Sequence, residues 1–155
     1  MKKILCVVLA VLMTAAVFSA CGAKAKPLSD IFSQIKSEYK LTDMVEYTDV
    51  NSLERTYGIT AADVDEVAGG VNNSGVDMEE VVLVKAKNAD TAKTVAEKLT
   101  NRLNSKLAET KSYNPEQYAI VEKSSVDTDN LYVSLIISKD LDGIKKLYKE
   151  GIGVK

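Results

Sequence analysis

Val81-Val82-Leu83-Val84 limits the fold of this chain more than any other stretch. Four consecutive apolar residues, three of them β-branched, make a strand with no polar side to turn toward water. Such a strand belongs in the middle of a sheet with apolar layers above and below it. Leu131 to Ile137 is the second central strand. Its Leu131, Val133, Leu135 and Ile137 alternate onto one wholly aliphatic face, while Tyr132, Ser134 and Ile136 share the other.

The remaining elements follow from periodicity and punctuation. Glu66 to Val71 reads as a strand, weakened by Gly69 and Gly70, and Asn72-Asn73-Ser74-Gly75 as a turn. Asn88 and Asp90 open a long helix with Ala92, Val95, Ala96, Leu99, Leu103 and Leu107 on one stripe. Asn114-Pro115 breaks the chain, Tyr118 to Val126 reads as a second polar strand, and Thr128-Asp129-Asn130 turns. Ser138 or Asp140 caps a last helix that faces inward with Leu141, Ile144, Leu147 and Tyr148 and ends at Gly151. From Glu66 onward the order is ββα, then ββα. The expectation is an α+β fold, a four-stranded antiparallel sheet with helices on one face. Strands around Leu83 and Leu135 are central, and those around Val67 and Val121 are edges, which is the strand order of a permuted ferredoxin-like sandwich.

An N-terminal helical segment precedes this unit. Pro27 suits a first helical position, and Leu28, Ile31, Phe32, Ile35 and Tyr39 form one apolar face. That face is too apolar to leave in water, so the helix is expected to dock beside Tyr132 and Ile136 as a third layer. Asn51 with Glu54 forms a capping box for a short helix that Gly58 stops after Tyr57. Thr60 and Asp63 suit one further turn.

The first 20 residues differ in kind. Lys2-Lys3 is a basic start, Ile4 to Phe18 carries no charge, and Ser19-Ala20 are small. This is the layout of a secretory signal, too short for a spanning helix. Cys6 lies within it, which leaves Cys21 as the one cysteine of a processed chain, with no partner for a disulfide. Phe18-Ser19-Ala20-Cys21-Gly22 resembles a bacterial lipobox, with Phe18 where Leu is usual. Ala23-Lys24-Ala25 offers the competing reading, ordinary signal cleavage. The domain plan is a lipoprotein signal over 1–20, a lipidated Cys21 and tether over 21–27, and a single domain over 28–155.

Composition removes most chemistry. Histidine is absent, and with it the commonest general base and metal ligand. With Cys21 acylated no thiol remains, and no phosphate-binding or nucleophile-elbow motif occurs. Loss of the first 20 residues shifts the net charge from −2 to −4, with no basic patch for nucleic acid. Two carboxylate groups remain as candidates: Asp63, Asp65 and Glu66, and then Glu79 and Glu80. A hydrolase needs two such groups held across a substrate. Asp127-Thr128-Asp129-Asn130 is a calcium-like fragment without the bend Gly or distal Glu. Gly69-Gly70 and the Asn72–Gly75 turn would suit an anion cradle, but no Lys or Arg lies within them. Solvated turns and strand ends account for all of these. No cofactor and no metal is expected. Tyr132, Ser134 and Ile136 would be a binding face if nothing covered them.

Tyr57-Gly58-Ile59, the acidic Asp63 to Glu66 stretch, Glu79-Glu80-Val81, Asn114-Pro115-Glu116-Gln117-Tyr118 and the Leu131–Ile137 strand occur in that order. With the lipobox, this series resembles an uncharacterised domain-of-unknown-function family of small Gram-positive bacterial lipoproteins. The resemblance spans Ser29 to Tyr148 and implies a fold and an address, with no activity and no site residues. The expected protein is therefore extracytoplasmic, held on the membrane by lipid on Cys21. It is expected to be a non-catalytic binding or envelope-associated module, with an envelope protein or a glycan as partner and no nucleic acid. The alternative is a carboxylate-dependent hydrolase or other enzyme acting at the cell surface.

Overall fold

The computed structural model describes residues 25–154. The expected signal segment 1–20, Cys21 and most of the expected tether lie outside the described residues. Within them the order is α1 (Leu28–Glu38), β1 (Met44–Glu46), α2 (Val50–Tyr57), β2 (Val64–Asn72), β3 (Glu80–Ala86), α3 (Ala89–Tyr113), α4 (Pro115–Val121), β4 (Val126–Asp129), β5 (Tyr132–Ile137) and α5 (Leu141–Gly151). The strands form one antiparallel sheet in the order β1-β2-β3-β5-β4.

The apolar run of β3 sits at the centre, paired with β2 on one side and β5 on the other. Strand alternation sends Val82, Val84 and Ala86 to one core and Val81 and Leu83 to another. Val133, Leu135 and Ile137 of β5 join the first core, in register with β3 through Val82 opposite Leu135. The stripe of α3 (Ala92, Val95, Leu99 and Leu103) closes it. Asn88 starts α3 as expected, its side chain accepting from the Asp90 and Thr91 amides. The second core receives Ile136 of β5, Leu28, Ile31, Phe32 and Ile35 of α1, and Ile144, Leu147 and Tyr148 of α5. The sheet is thus the middle of three layers, and α1 docks on the second face as its apolar side requires.

Five features depart from the sequence expectation. The sheet has five strands rather than four, so β2, around Val67, is interior rather than an edge. The added strand, β1, has three residues and too little length to show a period. Tyr118 to Val121 is helical, and Val121 is no edge strand. Asn114 accepts from the Gln117 amide and Pro115 takes the first helical position, so the break after α3 starts a new helix. The helices lie on both faces, α3 on one and α5 with α1 on the other, so the ferredoxin-like arrangement does not hold. The cap of α2 is Asp49, bonded to the Ser52 amide, in place of the Asn51–Glu54 box. Asp140 precedes α5 without a side-chain cap, while Ser138 accepts from the Asp140 amide.

Gly69 and Gly70 belong to β2 rather than to a loop. Gly69 has φ +148°, and a Cβ there would run into the Val81 carbonyl across the ladder. Only glycine permits that approach.

Candidate functional site

Glu80 begins β3 and is fully buried, which is rare for a carboxylate without partners. Arg102 of α3 meets it with a fork: Nε donates to Oε1 at 3.1 Å and the terminal nitrogen to Oε2 at 2.9 Å. Lys106, one turn further and 4% exposed, places Nζ 2.8 Å from Oε2 and also donates to the Met78 carbonyl at 3.0 Å. Tyr57 of α2 donates to Oε1 at 2.7 Å, and its hydroxyl lies 2.6 Å from that of Tyr47. The two tyrosine rings meet edge to face, 5.7 Å apart. Burial would raise the Glu80 carboxyl, but the Arg102 bonds and the Lys106 charge together outweigh it and hold it below the usual carboxylate range. Burial pushes the Tyr47 hydroxyl up to about 12, and burial beside Glu80 pushes Tyr57 further the same way. Every acceptor position of Glu80 is occupied by the protein itself.

The same groups clasp the segment that leads into β3. The Met78 carbonyl is held by Lys106, and the Met78 amide donates to Gln117 of α4 at 2.8 Å. Upstream, Asn72 accepts from the Ser74 amide, Ser74 from the Val76 and Asp77 amides, and Asp77 from the Glu79 amide. The Asn73 amide donates to the Asp43 carbonyl. The loop from Asn72 to Glu79 has spent these N–H groups on its own side chains and neighbours, so it is a fixed loop and no anion cradle.

The other carboxylates do not converge. Asp63 accepts from the Thr60 amide and hydroxyl at 3.0 Å and from Lys98 at 3.3 Å, and the Thr60 backbone bond first among these holds it low. Asp65 is exposed, and Glu66 accepts from the Leu28 amide at the start of α1. Glu79 points away from Glu80 and accepts from Ser138 at 2.6 Å; its half-buried carboxyl is raised by burial. Asp127 pairs with Lys145 at 2.8 Å. Among the described residues no group of three or more metal-binding side chains comes together. Ser134 and Ile136 lie buried beneath α1 and α5, which leaves Tyr132 alone of the proposed face partly exposed, at a cleft with Lys26, Glu66 and Lys85.

The cluster around Glu80 escaped the sequence reading, though one signal was present. Lys106 and Thr110 continue the Leu99–Leu103 stripe of α3 at helical spacing, and both are buried. A lysine in an apolar stripe asks for a buried carboxylate, and Glu80 begins the most apolar strand.

The molecule is thus a three-layer α+β module with a satisfied ion cluster around Glu80. Residues 37–138 match the family model of a domain of unknown function, DUF4358, over more than half of the chain, and the chain belongs to that family. The matched stretch holds Tyr47, Tyr57, Glu80, Arg102, Lys106 and Gln117, whereas α5 lies beyond it. No curated protein and no solved structure matches the chain.

Proposed function

We propose that this protein is an extracytoplasmic lipoprotein, held on the membrane by lipid on Cys21, whose domain is a non-catalytic binding module of the envelope. The observation that carries this reading is the N-terminal layout: Lys2-Lys3, an uncharged run to Phe18, small residues, then a lone Cys21 directly ahead of the domain. The resemblance to small Gram-positive lipoproteins agrees with it. Among the described residues no helix is long and apolar enough to cross a membrane. Two acyl chains suffice without basic residues, since each buried CH₂ contributes about 0.8 kcal/mol.

The non-catalytic part rests on the carboxylates. Glu80 is saturated by Arg102, Lys106 and Tyr57, and Glu79 lies on the other side of the strand. A carboxylate-dependent glycoside hydrolase needs two acids facing one substrate, about 5–10 Å apart.

Membrane fractionation of cells that express Cys21→Ala tests the anchor. The variant should be released or accumulate as an unprocessed precursor, while the parent stays with the membrane. A variant that is processed and still membrane-bound overturns the reading.

A further inference from the structure

The exposed large apolar side chains among the described residues are three: Val45 at 50%, Val76 at 66% and Tyr113 at 88% exposure. All three gather around one loop. Val45 lines a shallow cleft with Asp43, Asn73 and Ser74, and Val76 and Tyr113 line the next one with Gly75, Met78 and Glu109. Loop 72–79 stands between the clefts, and its backbone is fixed by the bonds to Lys106, Gln117 and its own side chains. Asn114 adds a bond to the Val76 carbonyl at 3.4 Å. Apolar side chains on a preorganised loop lose little entropy when they meet a partner.

The place of this patch is also fixed. Lys26, five residues after Cys21, donates its amide to the Gly151 carbonyl at 2.9 Å and shares a cleft with Lys85 and Tyr132. Five peptide units span at most about 18 Å, so lipid on Cys21 keeps that end of the sheet near the membrane. The loop lies at the opposite end of β3, a length of about 20 Å. Its rim is acidic: Asp43, Asp77 and Glu109 are exposed beside the apolar groups.

We propose that Val45, Val76 and Tyr113 form a membrane-distal docking surface for a cationic segment of another envelope protein, one with Lys or Arg beside an aliphatic or aromatic anchor residue. The proposal rests on the binding-module reading and names its partner. An acidic rim around an apolar centre attracts a basic-apolar segment and repels an anionic lipid surface.

The test is photo-cross-linking from position 113 of the full-length lipidated chain in its native membrane, with mass spectrometry of the adduct. A probe at Glu97, elsewhere on α3, is the control. The expected result is one dominant protein adduct whose cross-linked peptide contains Lys or Arg beside an apolar residue. Glu109→Lys, which leaves the loop's own bonds intact, should reduce it about threefold or more, with the chain still folded by circular dichroism. Three outcomes overturn the proposal: an adduct with a second copy of this chain, an adduct insensitive to the charge reversal, or none above the Glu97 control. Membrane fractionation of the same cells reports on the anchor separately, so a bare patch and a failed lipoprotein reading are told apart.

Discussion

Glu80 shows how the whole molecule depends on a few side chains. Two charged groups inside a protein repay their desolvation only when geometry is good and all remaining positions are bonded. Here Arg102, Lys106 and Tyr57 meet that condition. Glu80→Gln leaves Lys106 charged, 4% exposed and without its counter-charge, so it should cost about 3–5 kcal/mol in urea unfolding. Tyr57→Phe, which removes a bond to the carboxylate, should cost about 1.5–3 kcal/mol. Tyr148→Phe provides the contrast. The Tyr148 hydroxyl is buried beside Ser134 with no hydrogen bond of normal geometry among the described residues, so its removal should shift stability by less than about 1 kcal/mol. The pH dependence has a definite sign. A carboxyl lowered in the fold contributes stability above its unfolded value, about 4.3 for Glu, and loses it as pH falls through the folded value. Glu80 and Asp63 both act this way, whereas Glu79, raised by burial, loses stability as pH rises through its folded value. Unfolding measured between about pH 3 and 7 should show an acid limb that Glu80→Gln shortens. An unchanged limb would assign it to other groups.

Among the elements, α1 and α5 pack closely at two glycines of α5. Gly151 lies against Ile31, and a Cβ there would come within 2.7 Å of that fully buried side chain. Gly151→Ala should therefore cost about 1–3 kcal/mol by overpacking, although alanine is the better helix former. Gly143 faces the end of the Tyr39 side chain, which can swing away, so Gly143→Ala should cost less. Thermal unfolding of the two variants orders them, and the reverse order would mean that Ile31 yields freely. On the opposite face Leu135→Ala should cost about 2–5 kcal/mol, since the residue is fully enclosed between β3 and α3. Elements with a long period were readable in the sequence: β3, β5, α1, α3 and α5 all lie where their apolar spacing put them. Those decided by one capping residue or by a partner were not. Tyr118 to Val121 has strand-like composition, yet Asn114 and Pro115 start a helix there. In β1, three residues are strand only because β2 offers its edge.

Over the whole molecule, periodicity specified that both faces of the sheet must be covered, since Val81 and Leu83 point away from Val82 and Val84. It did not specify which helix goes where, because α3 and α5 have equivalent stripes and their faces are chosen by the connections. The Glu80 cluster joins residues 47 to 106, a long-range meeting that no local pattern displays. The resulting shape puts Lys26 at one end of β3 and the fixed loop with Val76 and Tyr113 at the other. That arrangement has meaning for function only if Cys21 holds the chain to a membrane. The direct measurement is the mass of the N-terminal peptide of the mature protein, purified from both the membrane and the soluble fractions of the cell. The account predicts a chain that begins at Cys21 and carries a diacylglyceryl group. A soluble chain that begins after Ala25, unmodified, would contradict it.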